Sequence, residues 1–446
     1  MKIFAVFLLV LSIIFPIFHL LNVIMSSKAN MIYKSKHLKS GVTILIPCFN
    51  EMKIIERSIK GVNHIDYNNY EVIYINDGSS DLTFQLLKKN LNLIPAKKEP
   101  INKLEYKSIK GFYQSLLFDN IYVIDKDNGG KADSLNAGIS YSSNELIITL
   151  DADSILAPNS LEILNSVFYD SSIVAGGGLV KVLQGYNGDG IETKRITNLI
   201  KLQTLEYLKG FFILKASLSR INAMQVISGA FGIFRKSILM DVDGYRNTIG
   251  EDIDITIKIQ QKIMNDSSKK VVFIPEAECY TECPESFKDL YQQRIRWQKA
   301  FMDCIIRYGY TLLKNIFVSK LAIFMLMDAF LVGTIATFFT IGSFLFLFLF
   351  TDTFKMALLI YTIVSTLIYL SHNLIALSMS SVTREIKSTK TKLSIATTVL
   401  IDILIWRFIN CFFIIAGTLS YPFSKKWIKI ERSEQIYEYV SEYNET

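Results

Sequence analysis

Four stretches of this sequence bring together residue types that could do chemistry. Asp151-Ala152-Asp153 sets two carboxylates on either side of one small residue. Hard divalent cations favour such oxygens, and Mg²⁺ is commonly shared between a carboxylate and the phosphates of a substrate. As a bare pattern it is equally a turn with two solvated acids. Gly129-Gly130-Lys131, with Asn136 behind it, is a glycine-rich loop entering a helix. Its backbone N–H groups and one ammonium could meet a diphosphate; an ordinary turn and helix start is the plainer alternative. Gly250-Glu251-Asp252 opens an amphipathic helical stretch, where an acid is either a cap favoured by the helix dipole or a general base aimed into a cleft. In Gln292-Gln293-Arg294-Ile295-Arg296-Trp297, Gln293 and Arg296 share a helix face. Arg296 could neutralise a phosphate and Trp297 could stack on a sugar ring, although a Trp–Arg pair just before a membrane is common. No Gly-x-Gly-x-x-Gly follows a strand, so dinucleotide binding has no support.

The elements that must position these residues read as strand and helix in alternation. Val42–Pro47 is a short buried strand by composition, followed by the loop Cys48–Glu51 and a helix over Met52–Gly61. Tyr70–Ile75 is the next strand. It ends in Asn76-Asp77-Gly78-Ser79-Ser80-Asp81, whose Ser80 or Asp81 can cap a helix from Leu82. Ile121–Ile124 and Glu145–Leu150 are further strands. The alternation predicts a mainly parallel sheet covered on both faces, with ligands bound outside the carboxyl ends of its strands. Asn50, Asp77, Asp151 and Asp153 all fall at such ends.

The rest of the chain is written for a membrane. Half of the 446 residues are hydrophobic, only 20% are charged, and there are 30 Phe and 22 Tyr. This composition excludes a disordered, collagen-like or disulfide-built chain. The net charge of +7 comes without a dense Lys/Arg run or an aromatic–basic platform, so nucleic acid is not an expected partner. The five cysteines are scattered and form no zinc pattern, which predicts thiols in a reducing compartment. Ile3–Met25 is free of Lys, Arg, Asp and Glu and reads as an uncleaved anchor. The lysines after it (28, 34, 36 and 39) place the middle of the chain in the cytoplasm. Ala329–Thr351 and Met356–Thr383 are again charge-free, and the loop Arg384–Lys392 between membrane segments is basic. Ile395–Tyr421 is apolar but contains Asp402 and Arg407, which are costly inside a span unless paired. The basic tail (Lys425, Lys426, Lys429, Arg432) prefers the cytoplasm, which conflicts with a third full span there. Asp303–Met327, with Arg307, Lys314 and Lys320 among apolar residues, reads as an amphipathic helix on the membrane.

Taken in order, the motifs resemble a family. Pro47-Cys-Phe-Asn-Glu51, Asn76-Asp-Gly-Ser-Ser-Asp81, Gly130-Lys131 with Leu135-Asn136, Asp151-Ala-Asp153, Ser228–Arg235, Glu251-Asp252 and Gln293-x-x-Arg296-Trp297 resemble membrane-embedded glycosyltransferase family 2. The similarity is to its poly-N-acetylglucosamine, hyaluronan, chitin and cellulose synthases. It covers about residues 40–300 and the flanking membrane plan. One departure is Asn76, where many members carry a first acid before the second, Asp77.

The resemblance implies an α/β, GT-A (Rossmann-like) cytoplasmic domain flanked by transmembrane helices, and an inverting, processive transfer from a UDP-sugar to a growing polysaccharide. It implies the following roles. Asp252 is the general base on the acceptor hydroxyl. Glu51, Asp77, Lys131, Asp151, Gln293 and Arg296 hold the nucleotide sugar. Gly229, Ala230, Glu251 and Trp297 meet the acceptor. Asp153, with Asp151, binds Mg²⁺ or Mn²⁺. The expected plan is an anchor over 1–27, a catalytic domain over 40–300, an interface helix over 301–328, two to three spans over 329–421 and a tail over 422–446. The lipid bilayer and possible accessory subunits for synthesis or export complete the expected partners. A β-glucan synthase with the same mechanism, or a single-sugar transferase to a lipid-linked acceptor, would use the same nucleotide site.

Overall fold

The computed structural model describes residues 2–26, 40–101, 104–185, 196–345, 351–380 and 389–423. The basic run after the first apolar segment, much of the loop Arg384–Lys392 and the tail beyond Phe423 lie outside the described residues. The chain divides into two compact units. Among the described residues, one comprises 40–183 and 226–282; the other comprises 2–26, 184–225 and 283–423. The expected 40–300 stretch is therefore shared: Gln184–Gln225 and the chain from Cys283 group with the apolar helices.

The first unit is built on one ten-stranded sheet. In chain order its strands are β1 (Val42–Cys48), β2 (Tyr70–Asp77), β3 (Leu93–Pro95), β4 (Ile109–Ser115), β5 (Ile121–Lys126), β6 (Leu146–Leu150), β7 (Ser154–Leu156), β8 (Ile173–Val182), β9 (Phe231–Arg235) and β10 (Lys270–Thr281). Their spatial order is β3-β4-β5-β2-β1-β6-β9-β8-β10-β7. The four strands expected from sequence form its parallel centre, with β1 paired to β2 and β6, and β2 to β5. Such strands have neighbours on both edges and helices on their faces, so they run apolar without alternation. Val42, Ile44, Leu45 and Ile46 are fully buried, as are Val72, Ile73, Tyr74 and Ile75.

Outside that centre the sheet departs from the mainly parallel expectation. β3, β4, β7 and β9 all pair antiparallel with their neighbours, and only β8 with β10 adds another parallel pair. The physical reason lies partly in the connections. A short turn after Ser115 returns β4 directly to β5, which only an antiparallel pair allows. The result is a mixed α/β, Rossmann-like sheet whose parallel strands still end together.

The second unit contains the long apolar helices. Among the described residues, four are long and apolar enough to cross a membrane: Val6–Met25, Lys320–Leu345, Asp352–Met379 and Lys392–Ser420. The second begins earlier than the charge-free run suggests. The amphipathic stretch expected over 301–328 is likewise divided between a helix that ends at Lys314 and one that starts at Lys320. Several polar side chains inside these helices are paired. His19 lies between Ser217 Oγ and Asp328 Oδ2, each 2.8 Å from a ring nitrogen. Asp402 is fully buried and accepts from Lys209 Nζ at 2.5 Å and Asn373 Nδ2 at 2.8 Å. Arg407 donates to Thr366 Oγ1 at 3.0 Å. The π-helical turns Phe324–Ile335 and Asp402–Trp406 coincide with two of these residues, as such turns often coincide with inserted polar contacts. No disulfide joins any of the five cysteines.

Candidate active site

The site is built by loops at the carboxyl ends of β1, β2, β5 and β6. After β1 the chain turns at Asn50, whose φ of 56° is left-handed, a conformation Asn tolerates better than most residues. Asn50 Oδ1 then accepts the N–H of Ser80 at 2.8 Å, and Glu51 N–H donates to Thr83 Oγ1 at 2.7 Å. These bonds tie the loops after β1 and β2 together. Asp81 completes the knot: its Oδ1 accepts the N–H of Thr83 at 2.9 Å, where the helix Thr83–Leu91 begins.

Asp77 anchors the next loop. Its buried carboxylate accepts Lys126 Nζ at 2.7 Å and Gly129 N–H at 2.9 Å on Oδ1, and Gly130 N–H at 2.7 Å on Oδ2. Hydrogen bonds to a charged group contribute about 1.5–3 kcal/mol each, which is enough to hold a loop in one shape. Lys126 is completely buried, and its ammonium also pairs with Asp133 at 2.5 Å. Gly130 has φ of 92°, a backbone that side-chain-bearing residues rarely adopt. This conformation starts the helix Lys131–Tyr141, so Lys131 stands at its first position. Asn76, the departure from the family pattern, donates from Nδ2 to Asp125 Oδ1 at 2.7 Å. The two residues are register partners on β2 and β5. An acid at 76 would face the acid at 125, so the amide is matched to its neighbour.

Lys131 is the hub. Its Nζ lies 2.6 Å from Asp151 Oδ1 and 3.2 Å from Glu251 Oε1, and also donates to the carbonyl of Gly229 at 3.4 Å. A Cβ on Gly229 would stand 3.0 Å from that ammonium and 3.5 Å from Asp252 Cβ, so the missing side chain leaves the approach open. Glu251 and Asp252 are the first two residues of the helix Glu251–Ile263, where the dipole favours acids. Asp252 Oδ1 accepts the N–H of Ile253 at 2.9 Å. Lys131, Gly229, Glu251, Asp252 and Tyr245 all border one small cleft.

The charges shape one another. Burial works against the Lys131 ammonium, but Asp151 and Glu251 outweigh it and hold its pKa above the usual lysine range. Burial also pushes the Asp151 carboxyl up; Lys131 opposes this and the neighbouring charge of Asp153 reinforces it, so the group stays above its ordinary value. Asp153 is buried, with Oδ1 accepting from Ser154 Oγ at 3.2 Å and Thr281 Oγ1 at 3.3 Å.

The structure thus brings Asp77, Lys131, Asp151, Asp153, Gly229, Glu251 and Asp252 into one unit, with Glu51 in the adjoining loop and Ala230 beside Gly229. Gln293, Arg296 and Trp297 belong to the other unit, on the helix Phe287–Lys314. There Gln293 is buried, while Trp297 is 40% exposed with the guanidinium of Arg294 over its ring, 4.2 Å from the centroid. Arg294, which sequence reasoning passed over, is buried and donates to Glu206 Oε2 at 3.1 Å. Tyr245 was missed too. Its N–H and C=O are both bonded to the side chain of Asn136, at 2.8 and 2.9 Å, and burial pushes its phenol pKa up. Lys126, a lone cation closing an apolar strand, was the one missed residue with a visible signal.

A sheet whose parallel strands end in a lysine-centred group of carboxylates, beside a glycine turn held by Asp77, defines an α/β enzyme site with a cation placed to meet an anionic substrate. Residues 146–410 match the model of glycosyl transferase family group 2, and residues 43–242 match that of glycosyl transferase family 2. The chain belongs to glycosyl transferase family group 2.

Curated relatives include a poly-beta-1,6-N-acetyl-D-glucosamine synthase of Staphylococcus aureus (strain COL), 29% identical over 278 residues, 62% of this chain and 58% of that protein. A synthase of the same name from Staphylococcus epidermidis is 29% identical over 300 residues, 67% of this chain and 63% of that one. The chain therefore spans about three-fifths of the length of these relatives. Among solved structures, the mannosyltransferase PcManGT from Pyrobaculum calidifontis, in complex with GDP-Man and Mn²⁺, covers 95% of this chain and 99% of its own at a TM-score of 0.56. With 15% sequence identity, that is a likeness of fold.

The residues present suit a divalent cation of one kind. Among the described residues, no group of three or more His, Cys, Asp or Glu forms a self-contained metal cage. Asp151 and Asp153 offer hard oxygens at one strand end, which fits Mg²⁺ or Mn²⁺ completed by substrate phosphate oxygens and water.

Proposed function

We propose that this chain is an inverting, processive glycosyltransferase. It extends a β-linked polysaccharide of the poly-β-N-acetylglucosamine kind from a UDP-sugar at the cytoplasmic face of the membrane and helps to export it. The observation that carries the reading is the Lys131 ammonium held between Asp151 and Glu251, with Asp252 on the next residue beside the open approach at Gly229. The similarity to the staphylococcal synthases supports the choice of sugar, and the long apolar helices support the membrane setting.

The chemistry follows from charge. The acceptor hydroxyl attacks the anomeric carbon in line, the bond from that carbon to the diphosphate oxygen breaks, and the hydroxyl proton passes to Asp252. Attack from the opposite face turns an α-linked donor into a β-linkage, and UDP leaves. Lys131 meets the charge growing on the diphosphate, the electrostatic contribution that usually dominates such sites. The clamp of Asp77 on Gly129 and Gly130 keeps the loop in shape before the donor arrives, and Glu51 borders the nucleotide. A bound divalent cation would be held by Asp151 and Asp153 and would supply neutralisation of the diphosphate. By their match to the family motif, Gln293 and Arg296 steady the leaving group, and Trp297 and Ala230 receive the acceptor end. Accessory subunits for synthesis or export belong to this reading as partners.

The test is UDP release by the purified, detergent-solubilised protein with Mg²⁺ or Mn²⁺ across a panel of UDP-sugars, with the product sized. A long product from UDP-N-acetylglucosamine supports the reading. Turnover with UDP-glucose moves it to a β-glucan. Addition of a single sugar rules out processive synthesis.

A further inference from the structure

The last long apolar helix poses a problem of parity. If the chain crosses at Lys320–Leu345 and returns at Asp352–Met379, the next helix starts on the same side as Lys320. Crossing again over Lys392–Ser420 would carry Tyr421 to the far side, roughly 30 Å away. Yet Tyr421 Oη donates to Asp303 Oδ1 at 2.9 Å. Asp303 lies on the helix Phe287–Lys314, one short turn before Lys320. From Asp303 to Lys314 that helix advances only about 16 Å at 1.5 Å per residue. It also exposes Arg307 and Lys314, which hydrocarbon tolerates poorly.

The other contacts of the last helix agree. Near its start, Lys201 donates to Ser394 Oγ at 2.9 Å, and about one turn before its middle Lys209 pairs with Asp402 at 2.5 Å. Both lysines come from the polar helix Asn198–Lys209. Towards its end, Tyr291 meets Phe412 at 6.1 Å between ring centroids and Gln298 donates to Thr418 at 3.0 Å. Those partners come from Phe287–Lys314. The last helix is thus bedded along its length on two charged helices, and a crossing orientation would drag one of them through the bilayer. Its opposite face is apolar and exposed: Leu400, Leu404, Phe408 and Leu419 are each 41–59% accessible.

We infer that the helix Lys392–Ser420 lies along the membrane surface instead of crossing it. Its Leu400–Leu419 face is seated in the headgroup–acyl boundary, and the chain after Tyr421 stays on the same side as Lys320. The occupant of the face is the lipid surface. The face that carries Asp402, Trp406 and Phe413 is covered by protein, the apolar face left over suits that boundary, and basic residues at Lys425, Lys426, Lys429 and Arg432 suit an anionic leaflet. The inference is independent of which sugar the site transfers.

The experiment is a depth measurement on the full-length protein in vesicles of phosphatidylcholine and phosphatidylglycerol. Leu400→Trp, Phe408→Trp and Leu419→Trp are compared with the parent protein for quenching by lipids brominated at successive acyl positions. The expected result is one shallow depth for all three. Deepest quenching at 408, falling away towards 400 and 419, would overturn the inference, as would no added quenching at any position, which would mean that protein covers the face. A second measurement leaves the helix untouched. A cysteine appended after Thr446 and a Lys110→Cys reference, more than half exposed in the sheet unit, are labelled with a membrane-impermeant maleimide in inside-out membrane vesicles. Both should react; labelling of the reference alone contradicts the inference.

Discussion

At the residue scale, the account rests on how four charges share one cleft. Lys131 pairs with both Asp151 and Glu251, one ammonium against two carboxylates, so the site is net negative before substrate binds. A diphosphate would draw the ammonium from Asp151 and leave that carboxylate for a cation. Replacing Lys131 with Gln removes one charge-assisted pairing, and about 1.5–3 kcal/mol converts to roughly a 10- to 150-fold loss of donor affinity. Isothermal titration with UDP and Mn²⁺ reads it directly. The pH dependence has a definite sign. Burial raises the Asp151 pKa, so its negative charge is lost as pH falls through a value above the usual carboxylate range near about 4. Metal-dependent UDP binding should therefore weaken at higher pH than an ordinary aspartate would cause, and Asp151→Asn should remove that limb. Most of these residues were legible in the sequence because acids and a lysine beside strand ends and helix starts carry their own signal. Tyr245, Arg294 and Glu206 were not, because their partners are far away in the chain and only the fold pairs them.

At the element scale, the loops are positioned by pairs across neighbouring strands. Asn76 faces Asp125 and Asp77 faces Lys126 on β2 and β5. Asn76→Asp should lower stability by about 1 kcal/mol through like charges set side by side, and adding Asp125→Asn should restore it; thermal unfolding of the four proteins measures the coupling. Asp77→Ala removes the acceptor for Lys126, Gly129 and Gly130 together. The expected cost is about 3 kcal/mol, as for a broken buried ion pair, seen as a lower unfolding midpoint and weaker UDP binding. The parallel strands β1, β2, β5 and β6 were readable as apolar runs ending in polar turns. β4, β9 and β10 were harder to read: β4 holds Lys110, Gly111 and Gln114, β9 is short, and β10 interrupts its apolar run with Pro275 and Glu276. β4 and β10 mix buried with half-exposed positions and so lack the continuous burial that makes the central strands conspicuous.

At the scale of the whole molecule, buried charged residues of the apolar unit are held by partners from other helices. Lys209 and Asp402 are the clearest pair. Lys209→Met or Asp402→Leu alone should sharply reduce the yield of folded protein in detergent, since either leaves an uncompensated buried charge, while the double substitution should recover much of it. Size-exclusion profiles of the three variants would decide this. Here the sequence was only partly legible. It flagged Asp402 and Arg407 as out of place, but their partners Lys209, Asn373 and Thr366 come from other helices.

The claim on which the rest depends is that a Lys131-centred site transfers sugar with Asp252 as the base. Its most direct test is UDP release from UDP-N-acetylglucosamine in proteoliposomes, measured for the unaltered chain and for Asp252→Asn, alongside UDP affinity for both. The account predicts turnover with a long product for the first. For the second it predicts turnover reduced by at least about 100-fold, the scale of a lost general base, with UDP binding retained. Undiminished turnover in Asp252→Asn would contradict it.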